Sequence, residues 1–211
     1  MYNKKLKVNG AAFFCLFFAG LIQAQPPSGP MSFFVASQGS GNGADLGGLE
    51  GADEICQNLA ESVDQGHLTW RAYLSTQGDN AVNARDRIGP GPWFNANGYR
   101  VGADLDGLHD LSHRVSAETA LDERGRVIPG SFAVPNRHDI LTGSTADGMA
   151  YPSGEDMTCS NWTSSNDDGK ARVGHHDFAA WASTHDSRGC SPAALNSSGG
   201  DGLFYCFAVI Q

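Results

Sequence analysis

Apolar residues recur at three- and four-residue steps between residues 52 and 63, and this spacing marks one face of an α-helix. Asp53 and Glu54 lie in the first turn, where the helix dipole favours carboxylates. The pattern predicts an amphipathic helix over residues 52–63 with a cysteine on its buried face. The apolar positions are Ala52, Ile55, Cys56, Leu59 and Val63.

Alternating or continuous apolar runs predict strands elsewhere along the chain. Residues 69–75 (TWRAYLS) alternate, with Arg71 and Tyr73 on the polar face, which predicts a half-buried strand. Residues 32–37 (SFFVAS) and the closing run at 201–210 (DGLFYCFAVI) have the length and composition of strands, and we expect them to pair. Weaker signals predict a short helix at 83–89 and strands at 99–103 and 138–143.

Residues 1–24 have the pattern of a secretory signal peptide. Three lysines precede the apolar run AAFFCLFFAGLI, and Ala24 ends a small-residue cleavage pattern. The run is shorter than the roughly 20 residues that a membrane-spanning helix needs. We therefore expect cleavage near Ala24 and a secreted protein, periplasmic or extracellular. Residues 25–31 (QPPSGPM) read as a linker, and residues 32–211 as a single domain large enough for its own core.

The charge balance excludes several classes of partner. Without its first 24 residues the chain has 11 basic and 23 acidic residues, a formal charge of −12. Such an acidic surface argues against nucleic acid, heparin and anionic membranes as partners, because all three carry negative charge. It is compatible with a divalent cation. The mature chain has no long apolar run that predicts a membrane span.

An even number of cysteines follows the predicted cleavage position, and in an oxidising compartment this predicts two disulfides. These cysteines are Cys56, Cys159, Cys190 and Cys206. Their spacing alone leaves three pairings open. If the first and last strands pair, a Cys56–Cys206 bridge would tie the helix to the closing strand, with Cys159–Cys190 nested inside it. This is the pairing that we favour.

Two sequence blocks and the order of the cysteines resemble a known family. GGLEGADEIC followed by TWRAYLS is similar to the N-terminal signature of the endostatin domain of collagens, and LTGSTADG followed by TCSNW is similar to a later block of that family. The resemblance implies an α+β, C-type-lectin-like fold with a mixed, mostly antiparallel sheet, one or two helices and long loops. It also implies the nested pairs Cys56–Cys206 and Cys159–Cys190.

The ligand sites of that family do not carry over with its fold. Sugar-binding C-type lectins hold Ca²⁺ with Glu-Pro-Asn or Gln-Pro-Asp and with Trp-Asn-Asp. Here Val134 stands in place of the first acid or amide, and Ala182 and Ser183 follow Trp181. The N-terminal zinc histidines of endostatin have no counterpart in QPPSGPMSFF. We therefore expect the standard sugar site to be absent.

The densest ionisable cluster lies in residues 173–190 (VGHHDFAAWASTHDSRGC). Imidazoles and carboxylates bind zinc and related metals, although this spacing matches no standard zinc motif and a polar surface loop is the alternative interpretation. Asp104 and Asp106 in ADLDGLHD resemble part of a calcium loop without its closing glutamate, and an ordinary turn is the alternative there. No cofactor is certain, and calcium and zinc are the candidates. The candidate ligands in the cluster are His175, His176, Asp177, His185 and Asp186.

Three loop aromatics form a second candidate site. Trp93, Phe94 and Tyr99 lie in a Gly/Pro-rich segment, where they would either contact a ligand or cover the core. No catalytic constellation is found. We therefore expect a secreted, non-catalytic binding domain that recognises a protein or glycan through its long loops. The alternatives are a metal-binding protein or metal-assisted hydrolase that uses the His175–Asp186 cluster, and a structural or adhesin component.

Overall fold

Short strands joined by long loops make up most of the chain that the computed structural model describes, which is Met1 and residues 28–209. Apart from Met1, the predicted signal peptide and its cleavage position near Ala24 lie outside the described residues. In chain order the elements are β1 (Phe33–Val35), α1 (Gly48–Glu61), β2 (Trp70–Ala72), a 3-10 helix (Ala84–Arg87), β3 (Trp93–Phe94), β4 (Arg100–Gly102), α2 (Leu105–His109), β5 (Asp139–Leu141), α3 (Cys159–Trp162), β6 (Arg172–His175), β7 (His185–Asp186), α4 (Pro192–Ser198) and β8 (Gly200–Ala208).

The strand β8 organises the main sheet because it pairs with β1, β2 and β5. It runs antiparallel to β1 and β2, and both Phe34 and Ala72 lie opposite Cys206. It runs parallel to β5, which pairs antiparallel with β6, and β6 pairs in turn with β7. The strands β3 and β4 form a separate antiparallel pair. The predicted pairing of the first and last strands is confirmed, and so is the mostly antiparallel α+β class.

The main sheet separates two apolar cores, because successive side chains of a strand point to opposite faces. In β8, Phe204 and Cys206 belong to the core that α1 covers, whereas Tyr205 and Phe207 belong to the core on the other face. Burial on both faces explains why β8 is apolar without alternation. The prediction of a polar face for Tyr73 is wrong, because this side chain is fully buried in the second core.

The helix α1 begins four residues before its predicted start, directly after Gly47, whose φ of 78° lies in the left-handed region. Gly51 allows the helix to pack closely on the preceding loop, since a Cβ there would lie 2.1 Å from the carbonyl oxygen of Leu46. Asp53 accepts a hydrogen bond from the backbone N–H of Ala72 at 2.9 Å. The Gly-Ala-Asp run of the sequence therefore joins α1 to β2.

Two disulfides cross-link the chain, which confirms that prediction. Cys56 and Cys206 connect α1 to β8 across a sequence separation of 150 residues, with Cα atoms 5.6 Å apart. Cys159 and Cys190 span 31 residues with Cα atoms 5.7 Å apart. The second pair lies within the first along the chain, which is the nested arrangement that we favoured from the sequence.

The short element α3 is a left-handed turn, with φ values of 48° to 67° from Cys159 to Trp162. This conformation is costly for non-glycine residues, so the surroundings must hold it in place. Oδ1 of Asn161 accepts a hydrogen bond from the backbone N–H of Gln77 at 2.7 Å. The indole N–H of Trp162 donates to the carbonyl oxygen of Ser75 at 2.8 Å. These contacts tie the TCSNW block to the segment after β2.

The described residues form the α-helices α1, α2 and α4 and a 3-10 helix, where one or two helices were predicted, because α2 and α4 depend on local caps. Asp104 accepts from the backbone N–H of Gly107, and Ser191 from that of Ala194. Met31, predicted to lie in a linker, is buried in the core under α1. Within residues 28–209, no helix has the length and apolar character needed to cross a membrane.

Candidate metal centre

Three neighbouring strands bring one aspartate and three histidines together. Asp139 begins β5 and lies directly opposite His175, the last residue of β6. His138 precedes Asp139, and His185 begins β7, which pairs with β6. Opposite residues of an antiparallel pair have Cβ atoms about 4.5–5.5 Å apart. The strand register therefore places these side chains within reach of one another.

The imidazoles converge on a single oxygen, Oδ1 of Asp139. Nε2 of His138 and Nε2 of His175 each lie 3.1 Å from this oxygen, and Nε2 of His185 lies 3.3 Å from it. The ligand atoms of His138, Asp139 and His175 all lie within 4.8 Å of one another. The side chain of Asp139 is 2% exposed and that of His185 is 40% exposed, so the cluster has a buried floor and a solvent-facing rim.

In two of the imidazoles, the nitrogen that faces away from Asp139 has a hydrogen-bond acceptor beside it. This acceptor fixes the position of one ring proton. Nδ1 of His138 lies 3.3 Å from Oδ1 of Asp177, and Nδ1 of His185 lies 3.0 Å from the carbonyl oxygen of Asp186. A carboxylate and a carbonyl can only accept, so each Nδ1 carries the proton. In the neutral form of each ring, Nε2 then presents a lone pair to Asp139.

The protonation of the surrounding groups supports this assignment. Burial raises the pKa of Asp177, but hydrogen bonds from Ser131 and the nearby histidines outweigh burial and lower the pKa on balance. Asp177 is therefore an acceptor at neutral pH. Burial also lowers the pKa of His175, and the neighbouring His138 lowers it further. A neutral imidazole is the form that binds a metal.

Lone pairs that face a carboxylate oxygen at this distance repel it unless a cation lies between them. Among the described residues, none donates a hydrogen bond to either oxygen of Asp139 or to Nε2 of His175. A buried carboxylate without partners costs several kcal/mol, on the order of the penalty for an unpaired ion in a protein interior. A cation shared by these atoms would remove that cost.

The three separations from Oδ1 of Asp139 are also close to the edge length of a tetrahedral coordination sphere. His185 lies outside the group of ligand atoms that are all within 4.8 Å of one another. Zinc binds imidazole nitrogen at about 2.0–2.1 Å and carboxylate oxygen at about 2.0–2.2 Å, which places tetrahedral ligand atoms about 3.3–3.4 Å apart. The three nitrogen–oxygen distances are 3.1, 3.1 and 3.3 Å. A set of three nitrogens and one oxygen suits zinc and related transition metals, whereas calcium and magnesium prefer oxygen ligands.

The sequence pattern found only part of this centre. His175 and His185 were candidates and lie in it, and Asp177 supports it through His138. His138 and Asp139 were missed, because they were assigned to the start of a weak strand. The sequence does show a histidine and an aspartate side by side at the start of a strand. This pair indicates a shared site with His175 only when β5 is known to pair with β6.

Two other candidates from the same stretch do not join the centre. Asp186 pairs with Arg172 at 3.0 Å and with Lys170 at 3.2 Å, so its carboxylate is already neutralised by two cations. His176 is fully buried, burial lowers its pKa, and its ring is outside the group that converges on Asp139. Among the described residues, neither belongs to the group formed by His138, Asp139 and His175.

The calcium-loop candidates also have structural roles. Oδ1 of Asp104 accepts a hydrogen bond from the backbone N–H of Gly107 at 2.8 Å and caps α2. Asp106 has a side chain that is 98% exposed and pairs with Arg85 at 3.4 Å. Within the described residues, Asp104 and Asp106 belong to no cluster of three metal-ligating side chains. These contacts are those of an ordinary capped turn.

The loop aromatics divide between core and surface. Trp93 is fully buried, its indole N–H donates to the carbonyl oxygen of Ile88, and its ring packs edge-on against Phe207 with centroids 5.5 Å apart. Trp93 therefore covers the core and offers no surface for a ligand. Phe94 is half-buried, whereas Tyr99 is 53% exposed.

A further histidine, His109, has both ring nitrogens engaged inside the protein. Its Nδ1 lies 2.7 Å from the carbonyl oxygen of Leu105, and its Nε2 lies 2.7 Å from the hydroxyl of Tyr73. The carbonyl accepts from Nδ1, so Nε2 accepts from Tyr73. Burial lowers the pKa of His109 and raises the pKa of Tyr73, which keeps both groups neutral.

Comparisons with known proteins add no assignment to this geometry. The chain matches no protein-family model, and its sequence matches no curated protein. The geometry of the centre is therefore the basis for its proposed function.

Proposed function

We propose that this chain is a secreted, non-catalytic binding domain that holds one divalent transition-metal ion, zinc by preference, between His138, Asp139, His175 and His185. The proposal depends on one observation. Three imidazole Nε2 atoms lie 3.1–3.3 Å from one buried carboxylate oxygen that receives no hydrogen bond from any described residue.

An endostatin-like, C-type-lectin-like scaffold is the second part of the proposal. The two sequence blocks that resemble that family, the nested disulfides and the mostly antiparallel sheet support it. The signal-peptide pattern and the disulfides support a location in the periplasm or outside the cell. The ion would link β5, β6 and β7 near the loop that connects β6 to β7.

The ligand count favours binding over catalysis. If an ion draws His185 in beside His138, Asp139 and His175, four protein ligands complete a tetrahedral sphere, as in structural zinc sites, whereas catalytic zinc sites keep one position for water. The ion would therefore stabilise the folded chain instead of activating a water molecule. The metal-assisted hydrolase stays an alternative that an ester or peptide hydrolysis assay addresses directly.

Zinc is expected to bind the purified protein at one equivalent and to raise its melting temperature. At a free zinc concentration about 100 times the Kd, the expected stabilisation is about 2.7 kcal/mol, from mass action on the native state. For a domain of this size that corresponds to about 5–10 °C. Elemental analysis and calorimetric melting with zinc, with calcium and after chelation measure both effects.

Two variants make this test specific. His175→Ala is expected to lose the zinc-dependent shift, whereas His67→Ala, a histidine outside the centre, is expected to keep it. Metal content well below one equivalent after zinc loading, or an equal response to calcium, would contradict the proposal.

A second candidate role is recognition of a protein or glycan by the loops around this centre. The observation that favours it is the exposure of apolar side chains there: Phe178 is 49% exposed with its ring 6.0 Å from that of His175, and Phe132 is 98% exposed. Exposed aromatic groups commonly mark contact surfaces. We propose this surface in place of Trp93.

The loop surface is expected to give hits on a glycan array or on an array of extracellular proteins. Phe178→Ser combined with Phe132→Ser is expected to weaken such hits about tenfold or more, since anchors of this type typically contribute over 1 kcal/mol. The matched control is Tyr99→Ser, which changes an aromatic side chain that is 53% exposed and lies directly before β4. Hits that the double variant leaves unchanged would rule out this surface.

A further inference from the structure

We propose that Asp177 is a positioning residue that orients His138 toward the ion and transmits metal occupancy to the loop at residues 129–137. The inference rests on the proposed metal centre and deepens it, because it assigns the ion a regulatory effect on one defined segment of the chain.

The two oxygens of Asp177 contact different parts of the protein. Oδ1 lies 3.3 Å from Nδ1 of His138, and Oδ2 accepts a hydrogen bond from the backbone N–H of Ser131 at 2.8 Å. The side chains of Asp177 and His138 are 7% and 11% exposed, so water competes little for these contacts. One carboxylate therefore joins a candidate ligand to a loop.

The Asp177–His138 pair is the arrangement that orients metal-binding histidines in proteins. A carboxylate on the outer nitrogen holds the proton there, fixes the ring orientation and makes the inner nitrogen more basic. An ion on Nε2 in turn makes the Nδ1 proton more acidic and strengthens its hydrogen bond to the carboxylate. The coupling therefore operates in both directions.

The backbone of the loop is shaped to reach Asp177. A Cβ at residue 130 would lie 2.7 Å from Oδ2, so Gly130 permits an approach that a larger residue would obstruct. The backbone N–H of Arg137 donates to the carbonyl oxygen of Pro129 at 3.0 Å and closes the loop at its base. Between these points the chain is held by the Ser131 N–H and by a turn in which Ala133 donates to Gly130.

The tip of this loop faces solvent. Phe132 is 98% exposed and Val134 is fully exposed. The tip therefore has little packing of its own, and its order depends on the anchors at its two ends. One anchor is Asp177, and the other is His138, which directly follows the loop in sequence. Both anchors are parts of the metal centre.

The test is hydrogen–deuterium exchange of the full-length chain with and without zinc, combined with zinc affinity from competition with a chromogenic chelator. In the wild type, zinc is expected to slow exchange at residues 131–136 about fivefold or more, the lower range for coupling between sites. In Asp177→Asn, zinc affinity is expected to fall about 10- to 100-fold, as for lost outer-shell partners of metal ligands. In this variant, zinc is expected to give the loop no protection from exchange, even at saturating zinc.

The controls separate coupling from a general structural defect. Asp168→Asn removes the same charge from an exposed position and is expected to behave as the wild type. A merely structural role of Asp177 would change loop exchange equally with and without zinc. Unchanged exchange at residues 131–136 in zinc-saturated wild type would overturn the inference, even if Asp177→Asn failed to fold. Failure of the wild type to bind zinc would instead overturn the proposed function.

Discussion

Asp139→Asn is expected to reduce zinc affinity at least about 100-fold, beyond the range for loss of an outer-shell partner, because it removes the only anionic ligand. Without zinc, the variant is expected to be as stable as the wild type or more stable. The physical reason is that the Asp139 carboxylate is 2% exposed and receives no hydrogen bond from the described residues. An amide of the same shape can donate to the Nε2 lone pairs, and it removes an uncompensated buried charge, which typically costs about 3–5 kcal/mol.

The measurement combines zinc competition with urea unfolding of the metal-free protein at pH 8. Asp168→Asn is the control, because Asp168 is exposed and lies outside the centre. A residue kept for fold stability alone would show the opposite pattern, with zinc affinity retained and stability lost. That result would remove the case for a metal centre.

Removing the Cys56–Cys206 disulfide is expected to destabilise the protein more than removing the Cys159–Cys190 disulfide. Opening a loop with a sequence separation of 150 residues costs about 5 kcal/mol in the chain-entropy model. The Cys159–Cys190 bridge, with a separation of 31 residues, costs about 4 kcal/mol in the same model. Both values are upper figures, because residual structure in the unfolded chain reduces them.

The comparison uses Cys56→Ala with Cys206→Ala against Cys159→Ala with Cys190→Ala. All four cysteines are buried, so the two double variants remove similar volumes from the interior. Equilibrium unfolding in urea, with peptide mapping of the unreduced wild type, gives the free energies and confirms the pairs. A loss below about 1 kcal/mol for the outer bridge would show that it does little to restrict the unfolded chain.

Local sequence features were sufficient for the parts of the fold that depend on neighbouring residues. The three- and four-residue spacing around Cys56 located α1, and the apolar run at the end of the chain located β8. The even cysteine count predicted two disulfides. The start of α1 was missed because Gly47 takes a left-handed conformation that periodicity does not report.

Burial on the second face of the sheet could not be read from the sequence. Tyr73 and Trp93 were assigned to a polar face and to a loop, yet both are fully buried in the same core. Alternation shows which residues share a face, but it does not show whether another segment covers that face. In this protein the coverage comes from loops distant in sequence.

The sequence by itself offered candidate ligand types: its histidine-rich stretch contained His175 and His185, with a polar surface loop as the alternative interpretation. Tertiary structure decided which carboxylate they would meet, because His138 and Asp139 reach them only through the pairing of β5 with β6. It also removed Asp186 from the set by giving it Arg172 and Lys170 as partners. Metal ligands must meet within a few ångströms in space, and strand register, which spacing along the chain does not encode, controls that distance.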